Sequence, residues 1–402
     1  MEKEKAKLSG FKPELFLVNK TGDEGKNNLF LRPTSEILFS HYFKKVLQSY
    51  SQLPILLNQW CNVYRAEKNT KAFIRSCEFY WQEVHTLHET QEEAMEYLNE
   101  LNESYIFLAK ALLNLAFLKG EKTVNERFQG AEKTLSLEAI MPDGQAIQIA
   151  TSHYLGKNFS ETFDVKFTSA DNILENPYQL SAGCSTRLIG ALIMSHSDDQ
   201  GLVLPFDVAQ EQIRIIVLES ASDLYGGIYG IICDTLDKYR IQWDVDSNKS
   251  FGARVRVSEE EGIPFIAILG KEELVSKSLT IKSRLSKNKE IVEISKLGEY
   301  FEKAVEDYSN SLYDRSKTRL ENSVVDLTKG ASLELVKKEV LENRKIVLVP
   351  WFNDEENEVA FKNEKFGFGA RCIKENIDLD LDEKCFYSGK KANVYAYFGR
   401  SY

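Results

Sequence analysis

Two strand-forming runs joined by a short polar connection constrain this chain more than any other feature. From Pro54 to Tyr64 the sequence PILLNQWCNVY is apolar and β-prone, and it reads as a buried strand. KNTKAF then supplies a turn, and IRSCEFYWQEVHTLH reads as the return strand. The first arm delivers Arg65 and Glu67 at its end. Alternation along the second puts Arg75, Cys77, Phe79, Trp81 and Glu83 on one face, with Ser76, Glu78, Tyr80 and Gln82 on the other. A core-facing strand seldom carries Arg and Glu, so the first face is expected to border a site. Guanidinium forks suit phosphate because their planar donors pair with two oxygens at once. Glu67, Glu78 and Glu83 offer acceptors for an amine or an adenine amino group. Taken alone, the stretch fits an ion-paired surface hairpin equally well, since such pairs are common and weak.

The rest of the chain adds further elements. FKPELFLVNK and LFLRP flank the turn-rich TGDEGKNN and predict a hairpin within 11–32. Pro33 ends it, and Thr34 is placed to cap the helix SEILFSHYFKKVLQSY. Thr90–Glu93 reads as a capping box, opening an amphipathic helix expected to reach about Leu118 and to stop at Gly120. LSLEAIMP, the dipeptide Asp143-Gly144 and QAIQIATSHYLG predict a second hairpin. Ser181–Cys184 reads as a strand and turn. Arg187 then opens the apolar helix LIGALIMSH, where an arginine calls for an anionic partner.

At 402 residues the chain has room for two or three domains, and we expect borders giving 1–206, 207–305 and 306–402. From about Val208, strands and helices alternate as in an α/β unit. After about Asn310 a helical stretch leads to the strands KIVLVPWF and NVYAYFG. The net charge of −10 excludes a broadly basic nucleic-acid grip, so any such contact must be local. Lys271, Lys277, Lys282, Arg284, Lys287 and Lys289 form one local basic cluster, which on the residues alone a solvated charged face explains better than a phosphate contact. Six scattered cysteines suit a reducing compartment. No signal peptide and no long apolar run is present, so a cytoplasmic location without membrane association is expected.

Several blocks in order resemble a known family: Arg32-Pro-Thr-Ser-Glu36, RAEKNTKAFIRSCEFYWQEVHT, Gln148 with Thr151-Ser152-His153, CSTRLIGALIMSHSDDQGLVLP, and the terminal FGRSY. Together they are similar to class II aminoacyl-tRNA synthetases, specifically prolyl-tRNA synthetases of the archaeal/eukaryotic-like type. The resemblance implies an α+β fold: an antiparallel sheet with flanking helices, then an α/β anticodon-binding domain, then a small α+β C-terminal domain. It implies ATP with Mg²⁺, L-proline and tRNA(Pro) as what the chain handles, and a homodimer. It assigns Arg65 to the α-phosphate and the proline carboxylate, and makes Arg65 and Arg187 the catalytic pair. Glu67 would contact adenine, and Arg75 and Ser76 the ATP phosphates or base. Gln148, Thr151, Ser185 and Arg187 would complete the nucleotide site. Thr34, Ser35, Glu36, Glu83 and His153 would line the proline pocket, with Phe79 and Trp81 as the wall for the pyrrolidine ring. Lys271, Lys282 and Arg284 would meet tRNA phosphates.

The sequence also departs from that pattern. It begins downstream of the segment that carries motif 1, a dimer-interface helix and strand, and that departure counts against the dimer and the complete sheet that the resemblance implies. Ala182 occupies a position where an aromatic is common beside the proline site. Relatives hold zinc with four cysteines in the C-terminal domain. Here Cys372 and Cys385 remain, while Phe352 and Ser388 stand where others would be expected, so no zinc is expected. Two alternatives stay open: a threonine-type enzyme of the same subgroup, and a catalytically impaired tRNA-binding remnant.

Overall fold

A computed structural model describes residues 15–18, 29–218, 226–246, 248–375 and 383–402. Short strands β1 (Leu17–Val18) and β2 (Leu29–Phe30) pair antiparallel, Leu17 opposite Phe30. The turn expected between them falls outside the described residues. Helix α1 (Glu36–Val46) follows, with Ser35 rather than Thr34 at its N-cap and no side chain closing the cap. The Thr34 hydroxyl donates to the Glu36 carboxylate instead. A charged acceptor makes the stronger hydrogen bond, so the carboxylate outcompetes the capping role.

β3 (Ile55–Tyr64) and β4 (Glu78–His88) form the expected antiparallel ribbon, with Ile55 opposite Leu87 and Tyr64 opposite Glu78. β3 is not buried. It is the outermost strand of its sheet, and Trp60 is 79% exposed. Strand propensity reports fit to a pleated surface and not depth, so an edge strand reads like a central one. The return strand starts at Glu78 instead of Ile74. The connection between the two arms is irregular, closed by Arg65 N–H to Cys77 O at 2.8 Å and Arg75 N–H to Lys71 O at 2.8 Å.

α2 (Gln91–Phe107) opens with the Thr90 hydroxyl accepting Glu93 N–H at 3.2 Å. It does not reach Leu118. A wide turn over Leu108–Leu112 and left-handed Asn114 end it, and β5 (Phe117–Glu121) begins. Gly120 therefore sits in a strand. The continuous apolar run hides the switch from a helical to a strand period. β6 (Lys133–Ile140) and β7 (Ala146–Gly156) form the second predicted hairpin, with Gly144 at φ +79° in its turn. α3 (Asn158–Phe163), the small pair β8 (Phe167–Thr168) and β9 (Leu174–Glu175), β10 (Tyr178–Ser185) and α4 (Arg187–His196) complete this stretch.

Alternation then follows as expected: β11 (Ile213–Val217), α5 (Gly226–Thr235), β12 (Ile241–Asp244), α6 (Phe251–Glu260), β13 (Phe265–Leu269), α7 (Lys271–Ser276), β14 (Ser278–Ser283) and β15 (Lys289–Glu293). These make a five-stranded sheet in the order β12-β11-β13-β14-β15, its first three strands parallel. Every residue of β11 and β13 is buried, as strands covered on both faces should be.

The chain ends with α8 (Leu297–Ser323), β16 (Val324–Asp326), α9 (Leu333–Lys337), β17 (Ile346–Trp351), α10 (Glu355–Asn363), β18 (Gly369–Lys374) and β19 (Val394–Gly399). Its strands extend the first sheet to ten, in the order β16-β17-β19-β18-β5-β6-β7-β10-β4-β3. The antiparallel-dominated α+β architecture expected from the sequence is thus present. Compactness groups 1–106, 117–191 and 320–402 in one unit, and 107–116 with 192–319 in another. The last segment joins the first because β18 pairs with the free edge of β5, Lys374 opposite Gly120. A Cβ on Gly120 would lie 2.0 Å from the Ile373 carbonyl oxygen.

Gly120→Val should therefore lower unfolding stability by about 2 kcal/mol or more, because overpacking forces the two strands apart. Gly230→Ala meets nothing within 4 Å and should raise stability by about 1 kcal/mol through helix propensity. Chemical denaturation of the two variants beside the parent checks both signs.

Candidate active site

The ends of β4, β7 and β10 and the start of α1 and α4 enclose a cavity of about 250 Å³. Its walls carry most of the residues singled out from sequence. Thr34 and Glu36 come from the start of α1, Arg65 from the end of β3, and Phe79, Trp81 and Glu83 from β4. Gln148, Thr151 and His153 come from β7, Ser185 from the end of β10 and Arg187 from the start of α4. The alternation read along β4 holds: Phe79, Trp81 and Glu83 share the cavity face, while Glu78 and Tyr80 point to the exposed one.

Two guanidinium groups dominate the site. Arg65 lies over Phe79 and Trp81, 5.2 and 5.8 Å from their ring centroids, and its Nε donates to Pro33 O at 3.2 Å. Arg187 Nε donates to Ile74 O at 2.9 Å, and one terminal nitrogen to Gln148 O at 3.3 Å. Among the described residues neither forms an ion pair with a carboxylate. Burial pushes the Arg65 guanidinium below its ordinary value, partly offset by Glu36, Glu67 and Glu83. Burial and the like charges of Arg65 and Arg75 do the same to Arg187. Gly190 makes this geometry possible, since a Cβ there would meet the Ile74 side chain at 2.4 Å.

The carboxylates differ in availability. Glu36 is buried and holds the Thr34 hydroxyl. Glu83 is already crowded: it accepts from Ser35, from Gln59 and from Cys61 at 3.4 Å, and its Oε2 lies 3.1 Å from His85 Nε2. Burial raises the Glu83 carboxyl, but the hydrogen bonds from His85, Ser35 and Cys61 and the charge of His85 outweigh it and leave it below the usual carboxylate range. Ser35 itself is fully buried and reaches the cavity only through Glu83. The His153 ring contacts the Thr134 hydroxyl through Nδ1 at 2.9 Å. Desolvation pulls its pKa down to about 3, so its imidazole is neutral at physiological pH.

Other expected residues lie elsewhere. Glu67 and Arg75 line a neighbouring depression of about 500 Å³ with Lys71 and Tyr402, and Ser76 lines neither hollow. Arg75 bonds Glu67 at 3.0 Å and the Tyr402 oxygen at 3.2 Å, and the Tyr402 hydroxyl donates to Asp143 at 2.5 Å. Alternation failed for Arg75 because it precedes the strand. In the α/β unit, Arg284 is 7% exposed and is held by Asp198 at 2.5 and 3.0 Å, so it is an internal strut. Lys282 pairs with Glu259, and Lys271 is exposed. Cys372 and Cys385 sit in separate apolar clusters.

Sequence reading missed Lys122, Glu126, Phe128 and Thr134, which form the remaining cavity wall. The buried ion pair of Lys122 with Glu138 was legible only as a lysine beyond a supposed helix end. The Phe128 ring lies beside that of His153, centroids 4.9 Å apart and tilted by 37°.

The folded protein resists protonation of His153, whereas the unfolded chain takes up that proton near pH 6.5. Between those values the unfolded state binds more protons, so stability falls as pH drops. Acidification from pH 6.5 to about pH 5 should cost about 1–2 kcal/mol from this site. Denaturation midpoints should show a smaller drop in His153→Gln.

Comparison with known proteins bears on what such a site serves. Residues 16–196 match the family described as tRNA synthetase class II core domain (G, H, P, S and T), 212–304 the anticodon binding domain, and 336–402 the prolyl-tRNA synthetase C-terminal family. A proline--tRNA ligase of Malacoplasma penetrans is 40% identical over 405 residues, covering 100% of this chain and 84% of the relative. One from Mesoplasma florum is 37% identical with the same coverage. The crystal structure of Cryptosporidium parvum prolyl-tRNA synthetase complexed with L-proline and AMP superposes with a TM-score of 0.90 at 33% identity, covering 97% of this chain and 82% of that one. The C-terminal match and these relatives favour proline over the threonine alternative. With full-length similarity at this level, the chain belongs to the prolyl-tRNA synthetase family of class II aminoacyl-tRNA synthetases.

Proposed function

We propose that this chain activates L-proline with ATP and transfers it to tRNA(Pro), using the cavity at Arg65 and Arg187. The observation that carries the reading is the pair of half-buried guanidinium groups facing one cavity without a carboxylate partner among the described residues. Burying a charge unpaired is costly, and here the missing anions are those of the substrates. In the first step a proline carboxylate oxygen attacks the α-phosphorus of ATP. The bond to pyrophosphate breaks, and prolyl-adenylate forms. In the second, the terminal ribose hydroxyl of the tRNA attacks the prolyl carbonyl and AMP leaves.

Each residue has a physical task. Arg65 bridges the proline carboxylate and the α-phosphate, cancelling the repulsion between two anions and holding them in line. Arg187 steadies the nucleotide from the opposite wall, near Gln148, Thr151 and Ser185. Glu36, with Thr34, receives the secondary ammonium of proline. Phe79 and Trp81 give the ring an apolar face, and Arg65 is held against them by cation–π contact. Glu83 keeps Ser35 and Gln59 in place behind the pocket. His153, neutral, lines the amino-acid side. Glu67 and Arg75 in the β3–β4 connection take the adenine and outer phosphates from the neighbouring depression. Mg²⁺ arrives with ATP, whose phosphate oxygens carry it. Among the described residues no group of three His, Cys, Asp or Glu is gathered to hold an ion.

The α/β unit would take the anticodon arm, with Lys271 and its exposed neighbours Lys277, Lys287 and Lys289 offering charge to phosphates. The enzyme is proposed to act as a homodimer in the cytoplasm; no helix among the described residues is long and apolar enough to cross a membrane.

Proline-dependent exchange of pyrophosphate into ATP tests this. Arg65→Ala and Arg187→Ala should each lower kcat/KM by about 10³-fold, the scale of losing a donor that faces developing charge. No exchange with proline, or exchange with threonine at or above the proline rate, would overturn the reading.

A further inference from the structure

The wall that sequence reading missed is held from outside the cavity. Lys122, Glu126 and Phe128 line the site, and the residues from Thr123 to Glu126 are tied to the C-terminal segment. Glu358, on α10, is 2% exposed. Its Oε1 accepts the hydroxyl of the fully buried Thr123 at 2.7 Å, and its Oε2 accepts Asn125 N–H at 2.9 Å. Asn353 Oδ1 accepts Val124 N–H at 3.1 Å, and Asn125 Nδ2 donates to Glu355 O at 3.1 Å. Lys362 donates to Asn125 O at 3.1 Å and pairs with Glu126 at 3.0 Å. At the near end, Lys122 donates to Arg371 O at 2.9 Å. Four successive residues, Thr123 to Glu126, are thus each anchored by the stretch 353–362.

The anchored loop shapes the pocket beyond itself. Phe128 N–H donates to the Thr134 hydroxyl at 3.2 Å, the same hydroxyl that meets His153. Displacing Thr123–Glu126 would shift Phe128 and loosen the His153 ring packed beside it. On the opposite wall Arg65 and Arg187 are braced by the carbonyls of Pro33, Ile74 and Gln148, which belong to the first part of the chain and not to the C-terminal segment. The dependence is therefore one-sided.

We propose that Glu358 is a positioning residue for amino-acid binding, acting through Thr123 and Asn125 on the loop that carries Lys122, Glu126 and Phe128. This rests on the aminoacylation reading above. Its buried carboxylate never meets the substrate, and it does its work by fixing loop geometry. A simple stapling of the C-terminal segment to the core would make the same hydrogen bonds, so the test must separate the two.

Steady-state pyrophosphate exchange on the full chain does so. Glu358→Ala should raise KM for proline by about tenfold, since small misplacements of binding groups carry penalties of that order, and leave KM for ATP within about twofold. Glu358→Gln should restore a KM for proline near the parent's, because its amide oxygen can accept Asn125 N–H while its nitrogen donates to the Thr123 hydroxyl. If Glu358→Ala does not fold, the half-exposed Lys362→Ala removes the Glu126 pairing and should raise KM for proline by about threefold. A folded Glu358→Ala with an unchanged KM for proline, or with proline and ATP shifted equally, would overturn the inference. So would an unchanged KM for proline in Lys362→Ala where Glu358→Ala does not fold. Lack of exchange in the parent chain would instead defeat the function reading.

Discussion

Two half-buried guanidinium groups that no carboxylate among the described residues pairs with set the terms for everything around them. Proteins bury charge only when it is paired, hydrogen-bonded or waiting for a ligand. Arg65 and Arg187 are held by backbone carbonyls and aromatic faces, which fix their direction and leave their charge unspent. That arrangement needs rigid neighbours. The strands that carry Phe79, Trp81, Gln148 and Ser185 supply them, because their backbone groups are committed to ladder partners on both sides.

The same demand for rigidity explains the reach of the sheet. β5 offers an open edge, and an open edge is a liability unless something covers it. β18 covers it, and with β19, β17 and β16 brings the C-terminal segment into the sheet that builds the site. Gly120 is the local signature of that closure, where one added carbon would strike the facing strand. The consequence is that residues more than 200 positions from Thr123 decide where its loop sits.

Much of the site was legible from the chain alone, for definite reasons. Period-two alternation placed Phe79, Trp81 and Glu83 together because β4 is a regular strand over those residues. The β6–β7 hairpin was readable from Asp143-Gly144, whose glycine does adopt positive φ. Reading failed where local pattern carries no information on depth or partners. Trp60 looked like a core residue and lies on an exposed edge. Arg284 looked like a phosphate ligand and is locked to Asp198. Gly120 looked like a helix stop and is a strand contact.

Local pattern was enough for most element types, for the order of the motif blocks and for the family to which they point, since these depend on neighbours a few residues apart. Contacts across the fold settle which charges keep no carboxylate partner among the described residues, and that Lys122, Glu126 and Phe128 line the cavity at all. Pairing and burial are settled by contacts between distant segments. For Arg65–His85 that means a stretch readable as a surface hairpin becomes a cavity wall, because Arg187, 122 positions after Arg65, is brought to face it across the sheet.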